Sequence, residues 1–204
     1  TGSKPMNSPK RDVAVIGGGP AGLMAAETLV AQGLSVDVYE RMPSLGRRFL
    51  MAGRGGLNLT HSEPLADFVA RYGEACDRLD GALAAFDPPA LRAWAEGLGQ
   101  ETFVGSSGRV FPRALKASPL LRAWLGRLDG AGVRFHLRHD WQGWGPDGAL
   151  RFATPTGPVE ARPAASPLAI VGATLPPPGA HRAWPPTLAG RDGAAQRSTG
   201  RPPC

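Results

Sequence analysis

Residues 13–40, VAVIGGGPAGLMAAETLVAQGLSVDVYE, restrict the fold more than any other stretch of this chain. The apolar run Val13–Ile16 leads into Gly17, Gly19 and Gly22 at GxGxxG spacing. A helical stretch follows, then a second apolar strand over 36–39 that ends in Glu40. Each part has a task in holding a dinucleotide. Gly17 permits a tight strand-to-helix turn, Gly19 lets the backbone approach a pyrophosphate, and Gly22 lets the helix pack closely on the strand. The free N–H groups of the helix start, carrying roughly half a positive charge from the macrodipole, face the phosphates. Gly18, Pro20 and Ala21 complete the turn. Glu40 lies 18 residues beyond Gly22, where a carboxylate accepts bonds from a ribose and repels a 2′-phosphate. Arg41 follows it directly.

The alternative is a glycine-rich turn in an ordinary βαβ unit that binds nothing. Against it, Ala26 and Gly33 stand where a small residue and a helix-ending glycine are wanted. Met24, Ala25 and Leu29 supply the expected apolar face of the helix.

With 204 residues the chain suffices for one sizeable core, or one domain and part of another. No apolar stretch approaches the roughly 20 residues of a membrane span, and residues 1–11 have no signal-peptide character, so a cytoplasmic protein without membrane contact is expected. Cys76 and Cys204 show no motif spacing, which suits a reducing compartment. The net charge of +6 is unevenly placed. Residues 162–204 hold five arginines and one acid, leaving only +2 on residues 1–161, so no nucleic-acid partner is expected.

Past Glu40 a long Gly/Arg-rich connection, RMPSLGRRFLMAGRGGLNLTHSE, reads as a functional loop. Helices are expected over 63–72 and 77–86, and a third is capped by Asp87 ahead of Pro88. Strand-like segments 102–104 and 109–112 flank the turn 105–108, and Ser118 and Pro119 open a further helix. Alternation at Val133, Phe135 and Leu137, then the turn 145–148 into Leu150 and Phe152, predicts a β-meander. Residues 162–204 contain nine prolines; apart from a strand candidate at 168–171 they are expected to be irregular. The fold class is therefore α/β: a Rossmann-like FAD-type βαβ unit with a helical insertion and a β-meander over 11–161, followed by a Pro/Arg-rich tail.

GGGPAG, the stretch YERMPSLGRRFLMAGRGGLNLTHSE and GRVFPRALKAS together resemble one family. They are similar to bacterial NAD(P)/FAD-dependent oxidoreductases of the HI0933-like type, some of them aminoacetone oxidases. The resemblance covers 11–161 and implies FAD as resident cofactor. The family's second glycine motif runs SGxGRCNxTN; here Gly53, Gly55, Asn58 and Thr60 match, while Gly56 and Leu57 replace Arg-Cys and His61 replaces the final Asn. By that analogy 53–58 lies against the flavin or its pyrophosphate, and glycine backbone suits the approach to a flat ring or an anion. Family members are longer, with a C-terminal segment that completes the flavin site. The IVGATLPPPGAHRAWPP stretch, standing where a GGxSWPxxGSDG-like segment belongs, is expected to mark a reading-frame shift.

In a flavoenzyme the ring carries the redox chemistry and the protein supplies position and electrostatics. Arg47 and Arg48 are candidates for neutralising the pyrophosphate or the reduced ring, His61 for proton transfer, and Arg109 for orienting an anionic substrate group. Each has a structural alternative: solvent-facing loop arginines, a capping or surface histidine, and an arginine paired with an acid. His136 and His139, three apart in a strand, are expected on opposite faces and make a poor metal pair, so no metal is assigned. Trp141 and Trp144 are expected to cover the sheet. The leading reading is an FAD-dependent oxidoreductase acting on a small organic substrate, with NAD(P)H as a reductant. A non-catalytic fragment that retains the βαβ unit is the main alternative, and an NAD-linked dehydrogenase a further one.

Overall fold

The computed structural model describes residues 11–165. In chain order the elements begin with β1 (Val13–Ile16), α1 (Pro20–Ala31), β2 (Val36–Glu40) and α2 (Arg47–Ala52). Next come β3 (Thr60–His61), α3 (Leu65–Ala70), a 3-10 turn at Gly73–Ala75, α4 (Cys76–Ala85), α5 (Pro88–Glu96), β4 (Thr102–Val104) and β5 (Arg109–Pro112). Last are α6 (Ala117–Gly130), β6 (Arg134–Leu137), β7 (Asp140–Trp144), β8 (Leu150–Thr154) and β9 (Gly157–Ala161). The chain forms two compact units: residues 11–48 with 128–165, and residues 49–127.

The first unit is built on a parallel sheet of order β1-β2-β6. Val13 stands opposite Val36, and Asp37 opposite Arg134. All of β1 and the first four residues of β2 are buried, as strands covered on both faces require. Gly22, Leu23 and Ala26 are the buried face of α1, and the helix packs on β1 and β2. The expected stripe of Met24, Ala25 and Leu29 is only half-buried. Two small residues, one turn apart, bring the helix backbone close to the sheet and rotate the larger side chains toward the rim. The helix ends as expected at Gly33: its N–H donates to Val30 O (3.0 Å) and the Leu34 N–H to Leu29 O (3.3 Å).

The alternation at 133–137 is a strand, but its partner differs from expectation. β6 joins β2 in the parallel sheet, and only β7, β8 and β9 form the antiparallel meander. The long connection that a parallel pairing needs is residues 41–133. The turn 145–148 closes as expected, with the Gly145 N–H on Ala149 O (2.7 Å). Leu150 and Phe152 pack on Ala14, Ile16 and Tyr39, with Trp141 and Trp144 over them. On the side of β1 away from β2, the Ala14 N–H donates to Ala165 O (3.0 Å), so the chain rejoins the sheet in parallel after β9. The strand expected at 168–171 and the irregular tail lie outside the described residues.

In the second unit, β3, β5 and β4 form an antiparallel sheet in that order, with β4 and β5 the expected hairpin. Its core is Leu57, Ala95, Ala117 and Leu120, with Phe49, Leu59, Trp94 and Leu98 packed against it. Trp94 meets Trp124 edge-to-face at 4.8 Å. The Asp87 cap forms as read: its Oδ1 accepts the Ala90 N–H at 2.7 Å. Helix α3 is shorter than expected because Pro64 stands at its N-cap and the chain before it is still extended, with the Ser62 N–H on Gly108 O (2.8 Å). Among the described residues no helix is long and apolar enough to cross a membrane.

Candidate functional site

In the first unit the turn between β1 and α1 has the geometry its glycines call for. Gly17 takes φ +108, closed to most side chains, and its N–H donates to Tyr39 O at 2.8 Å. Space at Gly18 is tight: an added Cβ would fall 2.3 Å from the Leu45 Cδ2 methyl, which would have to move, and 3.2 Å from Glu40 Cβ. The Gly46 N–H donates to Gly18 O (2.8 Å), a contact the sequence did not reveal. Gly19 caps α1 in extended backbone and Pro20 is its first residue. Leu23 is the first to donate within the helix, to Gly19 O at 2.9 Å. Pro20 has no N–H, so among the described residues Ala21 and Gly22 hold open donors at the positive end of the dipole.

Glu40 folds back on this turn. Its Oε2 accepts the Gly18 N–H and its Oε1 the Met42 N–H, both at 2.8 Å. One lone-pair direction on each oxygen is thus already used, and each keeps capacity to accept a further hydrogen bond. Arg41, Arg47 and Arg48 are exposed.

Asp37, three residues before Glu40 on β2 and on the face that carries Tyr39, forms a cluster not marked by any motif in the sequence. Its carboxylate lies 3.0 Å from Arg11 Nε and 3.1 Å from His136 Nε2, close enough to pair with both without an aligned hydrogen bond to either. Tyr39 stacks between His136 at 4.5 Å and Phe152 at 4.3 Å. Burial, with the Asp37 carboxylate adding to it, pushes the Tyr39 phenol up to about 12. His136 and His139 are not on opposite faces: Arg138 takes φ +57, and both rings turn against Tyr39 with centroids 5.5 Å apart. No cluster of three metal-ligating side chains occurs among the described residues.

In the second unit the loop 53–58 is held for two different reasons. A Cβ on Gly53 would lie 2.6 Å from Ala117 Cβ and 3.0 Å from Ala117 N, so this glycine is set by packing on the start of α6. Gly55 (φ +82) and Gly56 (φ +122) are set by backbone conformation, and the space over Gly55 is open. Leu57 is buried and its N–H donates to the carbonyl of Leu115, itself at φ +55. The Asn58 amide nitrogen faces Thr60 O (2.8 Å) and Val110 O (3.3 Å), the orientation its acceptors demand.

His61 and Arg109 are brought together as register partners on β3 and β5. Both ring nitrogens of His61 are engaged: Nε2 donates to Ser107 O (2.9 Å) and Nδ1 accepts the Glu63 N–H (3.2 Å). Gly108 lies beneath the ring, where a Cβ would come within 2.5 Å. Asn58, His61 and Arg109 line one cavity of about 300 Å³, along with Glu63, Phe68 and Arg71. Hydrogen bonding from Arg71 at 2.7 Å holds the Glu63 carboxyl below the ordinary carboxylate range. Glu63, Phe68 and Arg71 follow no motif spacing; only the folded hairpin brings Arg109 to them.

Comparison with known proteins matches local stretches and the fold. Thiamine thiazole synthase of Methanococcus maripaludis is 36% identical over 70 residues, covering 34% of this chain and 27% of that protein. Putrescine oxidase of Kocuria rosea is 59% identical over 39 residues, 19% of this chain and 8% of that one. The chain therefore spans well under a third of the curated relatives it matches. The solved 3-ketosteroid-Δ4-(5α)-dehydrogenase of Rhodococcus jostii RHA1 superposes with a TM-score of 0.54 at 16% identity, over 78% of this chain and 45% of that one, which shows a shared fold. The family profile of the HI0933-like protein Rossmann domain matches residues 11–194, nearly the whole chain, and the chain belongs to that family.

Proposed function

We propose that this chain is the FAD-binding part of an oxidoreductase acting on a small organic molecule. The observation that carries the reading is the β1–α1 turn: a positive-φ glycine, a side-chain-free Gly18, and open N–H groups on Ala21 and Gly22 at the end of a helix dipole. That cradle fits a pyrophosphate. Gly19, Pro20, Ala21 and Gly22 would hold it, and Glu40 would meet the adenosine ribose through the lone pairs left free by Gly18 and Met42. A carboxylate there repels a 2′-phosphate, which favours FAD or NAD over NADP in this site. Exposed Arg41 and Arg48 would add positive charge. In the second unit, Gly53, Gly55, Gly56 and Asn58 would meet the flavin ring, and the bare backbone at Gly55 suits a flat partner.

When bound, the flavin supplies the electron-pair chemistry. The chain's own residues bind and orient. His61 keeps its hairpin in place through both ring nitrogens, which supports a positioning role over proton transfer. NAD(P)H as the reductant and a cytoplasmic setting belong to the same proposal.

The test is whether the purified protein carries flavin absorbance that FAD restores after stripping. Gly19→Val should abolish uptake with the melting transition retained, because its side chain blocks the approach of the pyrophosphate. A colourless wild-type protein that takes up no FAD would overturn the reading in favour of a non-catalytic nucleotide-binding unit.

A further inference from the structure

We infer that the cavity beside Arg109 in the second unit is a binding site for a small organic carboxylate with an apolar body, anchored by the Arg109 guanidinium. The backbone under that side chain is rigid. β5 is the central strand of its sheet, Arg109 is in register with His61 on β3, and its carbonyl accepts the Gly105 N–H at 2.8 Å. Its guanidinium, by contrast, has no hydrogen-bond or ion-pair partner among the described residues. Arg109 is exposed, and an exposed arginine would carry no inference by itself. This one lines an open pocket of about 300 Å³, at the lower end of small-molecule sites.

The charge balance of the cavity is what singles out an anion. Glu63 is the acid in its wall, and Arg71 already neutralises it: Nε and Nη2 reach Oε2 at 2.9 and 2.7 Å. His61 does not compete, since both its ring nitrogens bond to backbone. Arg109 is left as the uncompensated charge in the wall. A planar fork of N–H donors matches a carboxylate bidentately, and such charge-assisted pairs are the stronger hydrogen bonds. Leu59 and Phe68 are the apolar side chains in its lining, and the Phe68 ring meets Tyr72 edge-on at 5.7 Å. An anion anchor in a pocket that also offers an aromatic ring fits a carboxylate carried on a flat or compact hydrocarbon body better than inorganic phosphate.

That the bound carboxylate is the molecule oxidised rests on the FAD reading above; its binding does not. The test is calorimetric titration of the full chain with sodium benzoate, before and after FAD loading. Saturable benzoate binding is expected, with benzyl alcohol at least tenfold weaker. Arg109→Gln should weaken benzoate at least tenfold and leave the melting transition and FAD uptake unchanged. Phe68→Ala should weaken benzoate more than acetate. The inference is overturned if wild-type protein does not bind benzoate, if Arg109→Gln binds it as wild type does, or if inorganic phosphate displaces it at equal concentration. A protein that binds benzoate through Arg109 but takes up no FAD sinks the flavin reading and leaves this one standing. The reverse result sinks this one alone.

Discussion

Gly53 matches the family's glycine motif, yet the structure gives it a packing task that needs no cofactor. An alanine Cβ there would sit 2.6 Å from Ala117 Cβ and 3.0 Å from Ala117 N. Carbon atoms in contact prefer about 3.5–4.0 Å, so roughly an ångström must be opened between the loop and the first residue of α6. Neither partner is a flexible side-chain end: one is a methyl group on a helix and the other is backbone. Overpacking of this kind costs about 1–3 kcal/mol. For a chain of this size, each kcal/mol lowers Tm by about 2–4 °C.

The double-mutant cycle isolates the cause. Ala117→Gly alone removes a buried methyl and adds a glycine to the helix, costing about 1–2 kcal/mol. It also removes the 2.6 Å contact that Gly53→Ala makes, leaving the 3.0 Å approach to the residue 117 backbone nitrogen. Gly53→Ala should therefore cost less in the Ala117→Gly background than alone, with a coupling of about 1 kcal/mol. The assay is thermal or urea unfolding of FAD-free protein followed by circular dichroism. Additivity within about 0.5 kcal/mol would refute the steric argument. So would a Gly53→Ala protein of unchanged stability that has lost only FAD affinity.

Two further outcomes follow from backbone and charge. Leu115 sits at φ +55 with its side chain 46% exposed, so Leu115→Gly should change stability by less than about 1 kcal/mol, whereas Leu115→Val, β-branched and ill suited to that region, should cost about 1–2 kcal/mol more in the same unfolding assay. Tyr39 is raised from 10.0 to about 12, so the folded state keeps its proton while the unfolded chain loses it; stability held below pH 10 should fall between pH 10 and about 12. A titration followed at 295 nm should show a late step near pH 12 that Tyr39→Phe removes, and a Tyr39 that ionises near pH 10 in folded protein would refute the burial argument.

The signals that were legible are local. The Gly17 turn and the Gly33 helix end in the first unit, and the Asp87 cap in the second, each depend on residues within a few positions, and each has the expected geometry. What could not be read depends on distant partners. The 133–137 alternation marks a strand but cannot say that β2 rather than β7 lies beside it. His136 and His139 were expected to diverge because a strand alternates, but a positive φ at Arg138 ends the strand between them. Within 53–58 the sequence shows like glycines, whereas the fold gives Gly53 a steric reason and Gly55 a torsional one. The Arg109 cavity is legible only in part: its arginine stands in a motif, but Glu63, Phe68 and Arg71 come to it through the hairpin.

The pairing of β2 with β6 bears on the order in which the chain assembles. Asp37 and Arg134 are neighbours in the sheet, although all of residues 49–127 lie between them in sequence. Closing so long a loop from an unfolded chain carries an entropy cost that grows with the logarithm of its length. Collapse of 49–127 into its own compact unit would shorten the flexible tether before β6 has to find β2. During synthesis β1, α1 and β2 leave the ribosome with the β2 edge of the sheet unfilled, and that edge stays open until the intervening unit has been made. The β1–α1 turn is therefore made before residues 49–127, while the sheet that supports it is completed after them, and slowed translation over 49–127 should extend the time its strand edge is exposed to aggregation.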